Sequence, residues 1–184
     1  MADMQASGFA VELDALTLAR AQRADAAARE CIYRLYADAA YSLALRLTGR
    51  PADAEDVVQE GFVKAFERIG SYRGEAPFGA WLKRLMVNAA IDRLRHERRW
   101  PADPDAVEGL PVTTHAAEAR IDALGLLARL SPAARSVVWL HQMEGYSHPE
   151  IAAMFGHSES WSKSLLARSL DRLREWLQAE DKPR

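Results

Sequence analysis

The sequence predicts an all-α fold of two small helical domains joined by an irregular acidic linker, the C-terminal domain containing a helix-turn-helix. Three observations predict it. Apolar residues recur at the three-and-four spacing of packed helices in successive segments from Ala28 to Leu47, Ala54 to Ile69, Phe78 to Ala89 and Ile121 to Leu140. That period dissolves between Trp100 and about His115, where WPADPDAVEGLPVTTH holds three prolines and a run of acids with no basic side chain before the histidine. Beyond it, Ser147 to Gln178 reads as a capped short helix, a glycine turn and a longer basic helix. The predicted boundaries are residues 1–99 for the first domain, 100–117 for the linker and 118–184 for the second domain.

Composition narrows the functional classes. With 184 residues, 49% of them hydrophobic and 27% charged, the chain is long enough for two small cores, and its composition excludes disorder as the overall class. The net charge is only −2, but it is unevenly placed. Residues 1–60 carry 6 basic and 10 acidic side chains, residues 61–100 carry 9 and 4, residues 101–130 carry 2 and 5, and the remainder 7 and 7. An acidic surface followed directly by a basic one points to two different partners. Cys31 is the only cysteine, which excludes an intrachain disulfide and a cysteine-based metal site; its apolar setting reads as a small core position. No apolar run reaches the roughly 18 to 20 residues of a membrane helix, and the N-terminus lacks a basic region followed by an apolar one. The expectation is a cytoplasmic protein with no membrane partner.

The elements follow in order. Residues 1–8 read as frayed, and Phe9 to about Arg20 as a first helix with Val11, Leu13, Leu16 and Leu18 in a diffuse apolar pattern. Asp25 caps a second helix whose inward positions are Ala28, Ile32, Leu35, Ala39, Leu43 and Leu47, stopped at Gly49. Pro51 opens a third, with Asp53, Glu55 and Asp56 at its electropositive end and Ala54, Val58, Gly61, Phe62, Ala65 and Ile69 inward. A loop, GSYRGEA, leads to a fourth helix from Pro77 to Arg99, with Phe78, Trp81, Leu82, Leu85 and Ala89 on its buried stripe. After the linker come a helix over Ala116 to Arg129 and another opened by Ser131 and Pro132, running to about Glu144 with Val137, Val138, Leu140 and Met143 inward. Ser147 and Glu150 form a capping box for a short helix through Phe155, Gly156 turns the chain, and Ser158 caps the last helix, to about Gln178.

Two exposed faces carry candidate chemistry in the first domain. Asp53, Asp56 and Glu60, at i, i+3 and i+7 with Gln59 beside them, form an acidic strip. Dipole complementarity accounts for its first turn but not for Glu60, so the strip reads either as helix-start acids or as a docking surface for a basic partner. On the fourth helix, steps of 100° per residue bring Arg84, Asn88, Arg95 and Arg99 into one arc, with Arg98 beside them. Guanidinium forks match phosphate oxygens and an amide reads base edges. Tyr72 and Arg73 in the preceding loop read either as an ordinary turn or as groups that stack on and bind an unpaired base.

In the second domain the start of the last helix enters the major groove if the hairpin binds DNA. Glu159, Ser160, Trp161, Lys163 and Ser164 lie there, with Arg168 and Arg172 further along. Some of these touch phosphate only, and Trp161 reads equally as a core residue.

Three segments in order carry a family resemblance: DAEDVVQEGFVKAF at Asp53 to Phe66, FGAWLKRLMVNAAIDRLRHERR at Phe78 to Arg99, and LSPAARSVVWLHQMEGYSHPEIAAMFGHS at Leu130 to Ser158. With them the chain resembles the bacterial extracytoplasmic-function (ECF) sigma factors of the sigma-70 family, from about Leu13 to Leu177. The resemblance implies that Asp53, Asp56, Gln59 and Glu60 dock on core RNA polymerase. It implies that Tyr72, Arg73, Arg84, Asn88, Arg95, Arg98 and Arg99 melt the minus-ten promoter element and hold its single strand. It further implies that the helix-turn-helix reads the minus-thirty-five element as duplex, that the linker passes through the polymerase, and that an anti-sigma factor is a common restraint. There are departures: Val87 stands where many members have arginine, and Ser162 and Leu165 stand where many have an aliphatic residue and an arginine.

Competing classes explain less. A repressor or activator acting without polymerase leaves the acidic strip and the asparagine-bearing basic helix idle. An adaptor binding only proteins leaves the basic face idle. For an enzyme, His141, His148 and His157 have no metal-ligand spacing, and neither a phosphate loop nor a nucleophile elbow is present. No cofactor, metal or catalytic residue is expected.

Overall fold

A computed structural model describes residues 8–96 and 123–180. All regular elements among them are helical. The chain divides into two compact units, residues 1–93 and 94–184.

The first unit opens with a 3-10 turn at Gly8–Ala10, and only then comes α1, Ala15–Gln22. The single helix expected from Phe9 to Arg20 is therefore two pieces. Asp14 is the reason: its extended backbone and its carboxylate, which accepts from the Thr17 amide at 2.8 Å, start a helix at that point. The opening segment is held by backbone contacts. The Tyr36 hydroxyl donates to the Val11 carbonyl at 2.7 Å, and a Cβ at Gly79 would lie 2.0 Å from the Phe9 carbonyl oxygen. Only a glycine lets the start of the fourth helix come so close.

Helix α2, Ala26–Thr48, is capped by Asp25 and ended by Gly49 at φ 75°. Ala28, Ile32, Leu43 and Leu47 are inward as expected, and the core register differs from expectation only between Ile32 and Leu43. Tyr36, Ala40, Leu43, Ala44 and Leu47 are buried, Leu35 is exposed and Ala39 half-buried. Tyr36 takes the central place because its ring packs at 5.7 Å on Phe78 while its hydroxyl reaches Val11. Cys31 lies on the opposite, exposed side of α2 and is not a core residue. Helix α3, Pro51–Arg68, buries Ala54, Val58, Gly61, Phe62 and Ala65 as expected. Helix α4, Phe78–His96, buries Phe78, Leu82, Leu85 and Ala89, with Trp81 half-buried. The Met86 side chain packs directly onto Gly61 of α3, where a Cβ would meet its sulfur at 2.3 Å.

In the second unit, α5 is Ala123–Ala128 and α6 is Pro132–Gln142. Ser131 caps α6 with Pro132 in its first turn, a cap that contributes about 1 kcal/mol. Val137, Val138 and Leu140 are buried, whereas Met143, expected inward, is the residue after the helix and is 65% exposed. Helix α7, His148–Phe155, carries both halves of the capping box between Ser147 and Glu150, and Gly156 ends it at φ 70°. Helix α8, Glu159–Glu180, follows after the three residues Gly156, His157 and Ser158. The expected linker at 100–117 and the expected helical residues Ala116 to Ile121 lie outside the described residues.

Candidate functional site

The acidic strip on α3 is tied into the fold by three cations. Arg93 of α4 places its guanidinium 3.3 Å from Asp53 and 2.9 Å from Asp56, and Arg50 lies 3.6 Å from Asp53. Lys64 bridges Glu60 at 2.6 Å and Asp92 of α4 at 3.7 Å. Asp56, Gln59 and Glu60 are exposed, but the Asp53 side chain is only 4% exposed. Asp53 therefore leaves the exposed strip of the sequence reading. It sits four residues before Val57, about 40° round the helix from that buried position, and the packing of α4 covers it. A carboxylate in that place needs cationic partners, and Arg93 and Arg50 supply them.

The other side of α4 presents a different surface. Arg84, Asn88 and Arg95 are all exposed there, as the helical wheel predicts. Arg93 is nine residues from Arg84, half a turn away on the wheel, which is why the only other arginine of this stretch among the described residues faces α3 instead. Arg98 and Arg99 lie outside the described residues.

The loop before α4 brings Tyr72 onto an aromatic cluster. Its ring lies 5.4 Å from Phe78 and 5.3 Å from Trp81, which are 5.2 Å from each other, and its hydroxyl donates to the Ala76 carbonyl at 2.6 Å. Gln22 at the end of α1 donates its amide to the Ile69 and Tyr72 carbonyls at 3.1 and 3.4 Å. Arg73 is exposed beside this cluster. Half-buried Trp81, one turn before Arg84 and Leu85, thus sets an aromatic edge against the exposed polar face of α4.

In the second unit the helix-turn-helix is present in all its parts. Ala152 is buried at the crossing, its carbonyl accepts the His157 amide at 2.9 Å, and the Ser158 hydroxyl caps α8 through the Trp161 amide at 3.2 Å. Glu159, Ser160, Lys163, Ser164 and Arg168 are exposed and Arg172 is half-buried. Lys163 pairs with Glu159 at 2.6 Å, and that hydrogen bond and charge hold the Glu159 carboxyl below its usual range. Trp161 belongs to both readings at once. Its indole stacks on His157 at 4.3 Å and packs on core Phe155 at 5.4 Å, yet it stays half-exposed. Ser162 and Leu165 are fully buried, so neither is a base contact. At the far end of α8, Trp176 lies under the Arg129 guanidinium at 4.2 Å.

Sequence reasoning missed the residues that hold these surfaces in place: Gln22, Lys64, Arg93, His141 and His148. For Arg93 the signal existed in the wheel; for Gln22 and the histidines no local pattern announces a partner many residues away.

An all-helical chain with a helix-turn-helix and a basic exposed helix face defines a DNA-binding transcription protein. Known families agree and are more specific. Sigma-70 region 2 matches residues 32–100, and Sigma-70 region 4 matches residues 120–173. The chain is similar to the ECF RNA polymerase sigma factor SigM of Mycobacterium tuberculosis, 35% identical across 87% of this chain and 82% of that protein. It is similar to the RNA polymerase sigma-E factor of Streptomyces avermitilis, 35% identical across 78% of this chain and 82% of that one. Among solved structures it resembles the sigma factor RpoE of Bartonella quintana, solved with the anti-sigma factor NepR. The TM-score is 0.54 at 28% identity, covering 79% of this chain and 92% of that one. The fold is also that of CnrH, solved with the cytosolic domain of CnrY, at TM-score 0.51 over 91% of this chain and 97% of that one. The chain belongs to the ECF sigma factors of RNA polymerase. Among the described residues no helix is long and apolar enough to cross a membrane.

Proposed function

We propose that this protein is the promoter-specificity subunit of a bacterial RNA polymerase, works in the cytoplasm and performs no chemistry of its own. Residues 1–99 form the polymerase-docking and minus-ten domain, 100–117 the linker, and 118–184 the minus-thirty-five domain. Docking on core polymerase uses Asp56, Gln59 and Glu60, with buried Asp53 holding the strip through Arg93. Single-stranded promoter DNA runs along Arg84, Asn88, Arg95, Arg98 and Arg99 from the Tyr72 and Arg73 loop. Duplex DNA meets Glu159, Ser160, Trp161, Lys163 and Ser164, with Arg168 and Arg172 on phosphate. An anti-sigma factor, as in the complex of RpoE with NepR, is the class of restraint to look for.

The observation that carries this reading is the division of labour on α4. Arg93 is committed to the acids of α3, while Arg84, Asn88 and Arg95 stand together on the exposed face. Each extruded base costs a few kcal/mol to melt and regains about 1 to 3 kcal/mol by stacking on protein. Joined through the polymerase, two weakly binding domains gain effective concentration. The test is transcription of a genomic library by purified core polymerase with and without the protein. New, discrete start sites that depend on it are expected. Their absence, together with salt-sensitive binding to duplex DNA in the absence of polymerase, overturns the proposal.

A further inference from the structure

The loop that carries Tyr72 and Arg73 has little of its own to hold it. Residues 70–77 are exposed apart from half-buried Tyr72, Gly74 stands at φ 76°, and a Cβ at Gly70 or Gly74 would meet nothing within 4 Å. Hydrogen bonds formed inside the segment are local. The Tyr72 amide donates to the Ile69 carbonyl at 3.2 Å, the Ser71 hydroxyl to the Arg68 carbonyl at 2.7 Å, and the Tyr72 hydroxyl to the Ala76 carbonyl at 2.6 Å. A tether from far along the chain reaches the same main chain. Gln22, the last residue of α1, donates from its amide nitrogen to the Ile69 carbonyl at 3.1 Å and the Tyr72 carbonyl at 3.4 Å, across 47 and 50 positions of sequence. That nitrogen carries two hydrogens, enough for both acceptors.

The tether has a firm base. Ala21 is fully buried, its carbonyl accepts from the Arg29 guanidinium at 3.3 Å, and Arg20 lies 2.9 Å from Asp25 at the start of α2. The same N-terminal segment reaches the far end of the loop, where the Phe9 carbonyl lies against Gly79 in the first turn of α4. Residues 8–22 thus hold the loop at both ends, and they precede residues 32–100, the stretch that Sigma-70 region 2 matches.

We propose that Gln22 is a positioning residue for base capture, holding the main chain at Ile69 and Tyr72 so that Tyr72 and Arg73 meet the melted strand already in place. The inference rests on the reading of this loop as the part that binds an unpaired base.

A loop that orders only on binding subtracts the ordering entropy from its affinity, and one held beforehand does not. The bonds from Gln22 fall on carbonyls, so they fix the path of the chain and leave the Tyr72 ring to pack 5.4 Å from Phe78 and 5.3 Å from Trp81. The Tyr72 carbonyl and the Arg73 amide share one peptide plane, so holding the first orients the second.

The test compares wild type, Gln22→Met, Arg73→Ala and the double variant as holoenzymes, by anisotropy on a fork junction whose non-template strand carries the protein's own minus-ten element. Methionine keeps the length of the side chain and withdraws the donors. Gln22→Met should lose about three- to tenfold in affinity for the fork, the span of one or two exchanged hydrogen bonds, with core polymerase binding at the wild-type level. Because Gln22 acts through the loop, that loss should shrink sharply once Arg73 is truncated, a coupling that general weakening of the unit does not produce. Wild-type fork affinity in Gln22→Met, purely additive losses in the double variant, or an equal loss of polymerase affinity overturns the inference. Fork affinity untouched by both Arg73→Ala and Tyr72→Ala removes the base-capture reading itself, and the inference with it.

Discussion

The guanidinium of Arg93 reaches from α4 to α3 and stands 2.9 Å from the carboxylate of Asp56, on the same nitrogen that lies 3.3 Å from buried Asp53. One cation thereby fixes an exposed acid and a buried one, and it ties the acidic strip to the helix whose other face is basic. Replacing Arg93 with Met keeps much of the apolar stem but withdraws the charge, leaving Asp53 with Arg50 as a longer partner at 3.6 Å. A loss of about 1 to 3 kcal/mol in unfolding free energy is expected, measured by urea denaturation. Stability equal to wild type would show that the bridge is energetically idle.

Reversing the exposed acids separates docking from folding. Asp56→Arg with Glu60→Arg should abolish binding to core polymerase, because a basic partner then meets like charge. The intramolecular pairs that are lost, to Arg93 and Lys64, are partly solvated, so about 1 kcal/mol of stability goes with each at most. Pull-down with purified core polymerase measures the first effect and thermal denaturation the second. Retained polymerase affinity in a folded double variant removes the docking surface.

Asn88→Ala tests the basic face of α4. Its amide is exposed between Arg84 and Arg95, so its removal should weaken binding to the non-template single strand by about tenfold, within the 1 to 3 kcal/mol of one good base contact. Binding to duplex should change little. Equal losses on both forms of DNA would count against base capture.

The helix caps set an acid limit. Asp14 and Asp25 are held below the ordinary value of 3.8, chiefly by hydrogen bonds from Thr17 and from the Ala28 amide respectively. A depressed carboxyl contributes stability that is present above its unfolded pKa and is lost as pH falls through its folded one. Asp25→Asn, compared with wild type by thermal melting, should therefore show a lower Tm at pH 7 and no difference near pH 2. A gap that persists at pH 2 would assign the effect to something other than the carboxylate's charge.

Much of this architecture was readable before any coordinates. Caps at Asp25, Ser131, Ser147 and Ser158, and stops at Gly49 and Gly156, are local chemistry, and the structure places each where the sequence does. The exposed arc of Arg84, Asn88 and Arg95 follows from helical geometry alone. What escaped depends on contacts distant in sequence. Asp53 is covered because α4 happens to pack over the first turns of α3, and Cys31 is exposed because α2 turns Tyr36, not Leu35, to the core. Neither outcome can be computed from a single helix's periodicity. The break at Asp14 was legible in principle, since an aspartate directly before apolar residues is a cap signal, but the diffuse apolar pattern around it hid the boundary.

The opening turn of the chain is gripped by what every residue possesses. Tyr36 takes hold of a carbonyl at Val11, and Gly79 makes room for a carbonyl at Phe9. Side chains at positions 10 and 11 are therefore open to drift, whereas the two receptors are not: Gly79→Ala forces the segment away, at about 1 to 3 kcal/mol, and Tyr36→Phe leaves a main-chain oxygen without its donor. Across relatives, mutational tolerance should be permissive at Ala10 and Val11, in a segment that docks through its main chain, and strict at the two buried positions, Tyr36 and Gly79, that receive it.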